Sequence, residues 1–204
     1  MPKQNLSPAR LEAFSDGVIA VIITIMVLEL KIPAGDGRQG LQAVLPILLV
    51  YLLSFVQTGI YWVNHHYLID EVETVSHGLL WANLAFLFCL SLIPFATAWL
   101  GVKGIAPFAT ALYAGACVLP GLSYSILWMA VRKRSDKLPH ASLLRQLASI
   151  MLYMGAIPTA FWHPQASLGM VAIVAVLWLM PPRGSEMGCR DAAVVATAGK
   201  GVTE

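Results

Sequence analysis

The sequence predicts an all-α, polytopic membrane protein with six transmembrane helices in each subunit. The 204-residue chain is 58% hydrophobic and only 12% charged, whereas soluble domains are about 25% charged. Six apolar segments recur along it, each long enough or nearly long enough to cross a hydrocarbon core about 30 Å thick. The net charge of +2 gives no reason to expect a nucleic-acid partner, so the predicted surroundings are a lipid bilayer.

The first three helices are predicted from apolar runs and the residues that bound them. The first covers residues 8–30 and is followed by Pro33, which stops a helix. The second is long, from about 41 to 68, and has polar residues in its second half. The third covers 78–100, with Asn83 early and Pro94 late.

The last three helices are predicted at 105–131, about 143–161 and about 166–180, the final two being shorter. The "HPQ" at 163–165 indicates a tight turn between them, and "PPRG" ends the last helix. Residues 1–182 therefore form one six-helix transmembrane domain. The small-residue segment 183–204 is predicted to be a disordered cytoplasmic tail.

The basic residues predict the orientation. With a cytoplasmic N-terminus, that side carries ten of them: Lys3, Arg10, Arg132, Lys133, Arg134, Lys137, Arg145, Arg183, Arg190 and Lys200. The other side carries three: Lys31, Arg38 and Lys103. Because cytoplasmic loops are enriched in Lys and Arg, both termini are expected in the cytoplasm of a multi-pass cell-membrane protein. The N-terminal residues lack a signal-peptide pattern.

The first helix contains acidic groups that need an explanation. In "AFSDGVIAVIITIMVLEL", residues 13–30, the uncharged run from Gly17 to Leu28 is twelve residues, or about 18 Å of helix. That run is shorter than the hydrocarbon core, so Asp16 or Glu29 must lie at membrane depth. An ionisable group there is costly and therefore a candidate for function.

Helical spacing arranges this segment as an apolar ridge. At about 100° per residue, Val21, Ile25 and Leu28 fall within roughly 60° of one another, and Thr24 stands just beside them. Phe14, Gly17 and Val18 extend the ridge, and Glu12, Ser15 and Asp16 gather at its cytoplasmic end. The pattern fits a pore wall, and it also fits an ordinary buried helix whose acid is neutralised by a neighbour.

Polar residues of the next two helices are expected at the same depth. Asn64, His65 and His66 lie near the inner end of the second helix, and Trp81 and Asn83 near the inner end of the third. Arg10 and Asp16 share that level. One polar network joining three helices would satisfy each of these costly groups. Such a network would hold the first helix in a fixed position.

These motifs carry a resemblance to a known family. "RLEAFSDGVIAVIITIMVLEL" resembles the first-helix motif of the transmembrane-protein-175 family of potassium channels, Arg-x-x-x-Phe-Ser-Asp with a spaced Ala, Thr and Leu. "WVNHH" and "WANLAFLFCLSLIPFATAWL" resemble its second- and third-helix motifs. The resemblance covers residues 8–131, while the last two helices match in hydropathy and length only.

The resemblance implies a homotetrameric channel with K⁺ as the permeant ion and the first helix lining the pore. The implied constriction and selectivity residues are Val21, Thr24, Ile25 and Leu28. The implied structural polar network comprises Arg10, Phe14, Ser15, Asp16, His65, His66, Trp81 and Asn83. Val21 is smaller than the Ile or Leu common at that position, which would widen the constriction. The spacing after Trp62 favours His65 over His66 in the network.

Two other classes of function fit the sequence less well than a channel. A secondary transporter would show internal repeats and paired broken helices, and neither is evident. An enzyme is the other alternative. However, Ser15 and Asp16 have no matched base, and the adjacent His65 and His66 point about 100° apart, so with Asp70 they cannot easily share one metal ion. The three cysteines, Cys89, Cys117 and Cys189, show no metal or disulfide spacing, so no enzyme activity and no cofactor are predicted.

Overall fold

The computed structural model describes residues 7–133 and 141–180. These residues form six α-helices and no β-strand: α1 Pro8–Leu28, α2 Gly37–Asp70, α3 His77–Lys103, α4 Pro107–Arg132, α5 Ala141–Trp162 and α6 Pro164–Leu179. The all-α prediction is therefore confirmed. The predicted tail at 183–204, and part of the basic segment between α4 and α5, lie outside the described residues.

Helix lengths agree with crossing a membrane for most of the bundle. The helices α1, α2, α3 and α4 have 21, 34, 27 and 26 residues and are long and apolar enough to span it. With 16 residues, α6 is a shorter apolar helix, as the sequence predicts. Only His163 separates α5 from α6, which is the tight turn expected from "HPQ".

Predicted and observed helix ends differ most at the start of α2. It begins at Gly37, four residues before the predicted start near 41, because Asp36 caps it by accepting a hydrogen bond from the Gly37 backbone N–H (2.7 Å). Hydropathy marks the apolar run and not the polar first turn that precedes it. The helix α3 ends at Lys103, because the next residue, Gly104, adopts φ 70°. Glycine takes this positive φ at no steric cost.

The core is built around α3 and α4. One buried cluster joins α1 to the C-terminal ends of α2 and α4 and to the first part of α3, with Phe86, Leu90 and Leu127 fully buried. A second cluster joins the other half of α4 to α5 and α6 around Tyr113 and Tyr153. Both clusters are continuous with α4, so α4 is the central helix of the subunit.

The position of α1 is at the edge of this bundle. Among the described helices it packs only against α2 and α3. A helix held by two neighbours along one side leaves its other side uncovered, and this placement determines which residues of α1 face outward.

Candidate functional site: the two faces of the first helix

One face of α1 is packed into the subunit. Its members recur every three or four residues, the spacing of one side of a helix, and none is more than 4% exposed: Leu11, Ser15, Ile19, Ile22 and Met26. These side chains contact α2 and α3 and fix the rotation of α1 about its own axis.

The opposite face of α1 is uncovered. Phe14, Val21, Ile25 and Leu28 are 52%, 54%, 43% and 78% exposed, and Gly17 and Thr24 are also exposed. These are the residues that helical spacing placed on or beside one ridge, except Val18, which is half-buried and packs against the core. The structure thus puts the predicted ridge on the free side of α1 and removes the alternative of a helix buried on all sides within one subunit.

Thr24 is oriented by its own helix. Its hydroxyl donates to the backbone carbonyls of Ala20 and Val21, both at 3.0 Å. Because the single hydroxyl proton is used in these bonds, the lone pairs of the oxygen remain as acceptors on the uncovered face. An oxygen presented in this way can coordinate a cation or accept a hydrogen bond from water.

A buried chain of hydrogen bonds ties α1 to α3 and α2. Asn83 donates through Nδ2 to Ser15 Oγ (2.9 Å), and Ser15 donates to the Leu11 carbonyl (2.9 Å). His65 Nε2 lies 2.7 Å from Asn83 Oδ1; because an amide oxygen only accepts, Nε2 is the donor. All three side chains are 0% exposed, and the His65 ring stacks on Phe86 at 5.6 Å.

Two further contacts join α1 to α2 beside this chain. Trp62 donates its indole N–H to Asp16 Oδ1 (2.9 Å), and His66 Nδ1 lies 2.6 Å from Glu12 Oε1. Residues four apart share one helix face, so Glu12 and Asp16 on α1 meet His66 and Trp62 on the antiparallel α2 as two rungs. The structure therefore places His65 in the buried chain and His66 in this outer pair.

Several predicted network members lie elsewhere. Within the described residues, no hydrogen bond or ion pair joins the side chain of Arg10 to the network, and Phe14 is on the exposed ridge. Trp81 is 62% exposed and donates to His77 Nε2 (2.9 Å). The reason is helical geometry, since Phe14 precedes Ser15 and lies about 100° from it around the helix, and Trp81 is about 200° from Asn83. Depth alone does not bring side chains together.

Sequence reasoning missed the roles of Glu12 and Trp62 as partners. The signal was present as two i, i+4 pairs, Glu12 with Asp16 and Trp62 with His66, at matching depth on antiparallel helices. Recognising it required knowing that these two faces oppose each other. Asn64 turns away, donating to the Ile60 carbonyl (2.7 Å).

Comparison with known proteins identifies the family. Residues 10–94, which contain α1 from Arg10 onward, α2 and the Asn83 region, match the family model described as endosomal/lysosomal potassium channel TMEM175. A potassium channel of Chryseobacterium sp. (strain P1-3) is 41% identical over 191 residues, covering 91% of this chain and 100% of that protein. The chain belongs to the TMEM175 family.

The TMEM175 fold is matched as well. The crystal structure of a lysosomal potassium-selective channel TMEM175 homolog from Chamaesiphon minutus superposes with a TM-score of 0.72 at 30% identity, covering 84% of this chain and 96% of that one. The human endosomal/lysosomal proton channel TMEM175 is 32% identical over 88 residues, where the match covers 37% of this chain and 18% of that protein. The resemblance found in the sequence is thus confirmed, and with it a membrane-channel family and not an enzyme.

Proposed function

We propose that four copies of this chain form a channel that conducts K⁺ passively through a pathway lined by α1. The observation that carries the proposal is the uncovered row Val21, Ile25 and Leu28 on a helix whose other face is fixed by Ser15, Asn83 and His65. Four such rows around an axis give stacked apolar rings. The matched relatives and the Chamaesiphon minutus structure, named as potassium channels, support this choice of ion.

The proposed constriction lies at Val21, with Ile25 and Leu28 as further rings. An apolar ring excludes ions through the cost of removing their water and gates by dewetting. K⁺ holds its hydration shell less tightly than Na⁺ and therefore crosses more readily. The chain has no Thr-Val-Gly-Tyr-Gly sequence, so a carbonyl cage of that kind does not supply the selectivity. Four Thr24 oxygens would replace part of the lost hydration.

The buried chain of hydrogen bonds has a different role from the apolar rings. Ser15, Asn83 and His65 set the rotation of α1, so that Val21 points to the axis. Asp16, held by Trp62, would lie near a wet inner vestibule, where a carboxylate costs less than in lipid. The protein would reside in the cell membrane with both termini in the cytoplasm, as the ten-to-three distribution of basic residues favours.

A liposome flux assay tests the proposed activity directly. Purified protein is reconstituted with a K⁺ gradient, and flux is followed with and without a second gradient of H⁺ or Na⁺. A channel gives K⁺ flux that depends on the K⁺ gradient and membrane potential alone. Flux that requires, or drives, movement of a second solute would establish the secondary transporter instead.

Cysteine modification tests which face of α1 lines the pathway. In a chain whose native cysteines are replaced by Ala or Ser, Ile25→Cys and Ile22→Cys are about 60° apart around the helix, and the native side chains at these positions are 43% and 4% exposed. A water-soluble thiol reagent should block current through Ile25→Cys and spare Ile22→Cys. Equal block, or block of Ile22→Cys alone, would contradict the proposed pore face.

A further inference from the structure

A cluster of three side chains with metal-binding groups lies at the α1–α2 contact. Glu12 of α1 and His66 and Asp70 of α2 each offer one atom, and these atoms all lie within 4.8 Å of one another. His66 Nε2 is 3.7 Å from Asp70 Oδ2, and His66 Nδ1 is 2.6 Å from Glu12 Oε1. The three groups come from two helices that no local sequence motif connects.

The geometry suits a small divalent cation. Zn²⁺ binds imidazole nitrogen and carboxylate oxygen at about 2.0–2.2 Å, which places neighbouring ligand atoms of a tetrahedron about 3.4 Å apart. The 3.7 Å separation of His66 Nε2 from Asp70 Oδ2 is close to this value, and these residues share one helix face at i, i+4. Glu12 comes from α1, and one oxygen of its carboxylate lies within 4.8 Å of the ligand atoms of the other two residues.

The position of the cluster allows an ion to enter. The side chains of His66 and Asp70 are 46% and 55% exposed, and that of Glu12 is 24% exposed. Water can therefore complete the coordination shell, as it does where a protein supplies three ligands. The other histidine of this segment, His65, is fully buried against Asn83 and does not contribute, so the objection to adjacent histidines sharing an ion does not apply.

We propose that Glu12, His66 and Asp70 form a binding site for a first-row divalent cation, with Zn²⁺ as the fitting member. One nitrogen and two carboxylate oxygens favour Zn²⁺ over Mg²⁺, which takes an octahedral shell of oxygen ligands. His66 gives the ion one nitrogen, and with Glu12 of α1 and Asp70 of α2 as the other ligands the ion is held by both helices. It therefore adds a link between these helices, independent of what the protein conducts.

Calorimetric titration with ZnCl₂ tests the site in the purified full-length protein in detergent. We expect one Zn²⁺ per chain and an increase in the thermal unfolding midpoint, since a ligand that binds only the folded state stabilises it. MgCl₂ at the same concentration should give neither. Co²⁺ substitution should produce visible ligand-field absorption, which reports direct coordination and not surface screening.

Matched variants separate this site from adventitious binding. Glu12→Gln and Asp70→Asn keep shape and remove one ligand, and each should weaken Zn²⁺ binding by roughly tenfold or more, since even outer-shell changes cost about 10–100-fold. Glu73→Gln removes an exposed acid three residues beyond Asp70 and should bind like wild type. The proposal is overturned if wild type shows no saturable binding, or if Glu12→Gln and Asp70→Asn, with normal unfolding in chelator, bind Zn²⁺ as tightly as Glu73→Gln.

Discussion

The two faces of α1 are almost equally apolar and have opposite surroundings. One carries Ile19, Ile22 and Met26, which are 1%, 4% and 0% exposed, and the other carries Val21, Ile25 and Leu28, which are 54%, 43% and 78% exposed. On the packed face a single polar side chain, Ser15, is fully bonded; on the open face a single polar side chain, Thr24, keeps its lone pairs free.

The difference shows that the polar residues, and not the apolar ones, set the rotation of α1 about its own axis. Lipid tails are as apolar as Leu, so burial of Ile against Ile or against lipid gives little preference. A hydrogen-bonded Ser15 must face Asn83, because turning it toward lipid would leave the buried amide N–H of Asn83 without its acceptor. The open face is the consequence, and the following substitutions test it.

The largest expected effect comes from breaking the buried chain. Asn83→Leu leaves Ser15 and His65 without their partner, and an unsatisfied buried group costs about 1–3 kcal/mol, so we expect a loss of roughly 3 kcal/mol. Size-exclusion profiles and thermal unfolding in detergent measure it. Adding Ser15→Ala and His65→Phe to the Asn83→Leu chain should recover part of the lost stability, because the polar groups left unpaired by Asn83→Leu are then replaced by apolar side chains.

A matched pair of truncations compares the two faces directly. Met26→Ala opens a cavity on the packed face, and large-to-small core changes cost about 2–5 kcal/mol in soluble proteins; lipid lowers the transfer part, so about 2 kcal/mol is expected. Ile25→Ala, one residue away, should leave subunit unfolding unchanged and alter conduction. Similar unfolding midpoints for both variants would show that the packed face is not a core.

The third effect concerns the proposed constriction. Val21→Asn places amides in the apolar ring, keeps it wet and lowers the dehydration cost for both ions, so Na⁺ conductance should rise about tenfold, equivalent to about 1.4 kcal/mol. Single-channel recording in mixed K⁺ and Na⁺ measures it. Met26→Asn is the control on the packed face, where a folding defect and no change of selectivity are expected.

The smallest effect is expected at Thr24. Thr24→Val keeps the shape and removes the oxygen, so the K⁺ to Na⁺ permeability ratio should fall about threefold, or about 0.65 kcal/mol, with current retained. Thr24→Ser keeps the hydroxyl and should preserve the ratio. Reversal potentials under bi-ionic conditions decide; an unchanged ratio in both Thr24→Val and Val21→Asn would remove α1 from the pathway.

The sequence by itself determined the helices, the family and the position of each polar group along its helix. An apolar run is an average over about twenty consecutive residues, and the motif from Arg10 to Asp16 is a short local pattern. Both can therefore be recognised in the sequence without knowledge of the fold. It predicted the ridge through Val21, Ile25 and Leu28, because helical spacing fixes which residues share a face. It did not predict the start of α2 at Gly37, since a polar cap leaves no mark in hydropathy.

Only the tertiary structure decided which side of α1 is open and which polar groups are partners. Residues at one depth meet only if their helices also face each other, and rotation about a helix axis is set by contacts between distant parts of the chain. For that reason Trp81 and Phe14 lie outside the buried chain while Trp62 and Glu12 bond to α1 and α2 neighbours. The same physical reason brings Glu12 to His66 and Asp70, a grouping that the separation of 54 residues between Glu12 and His66 conceals in the sequence.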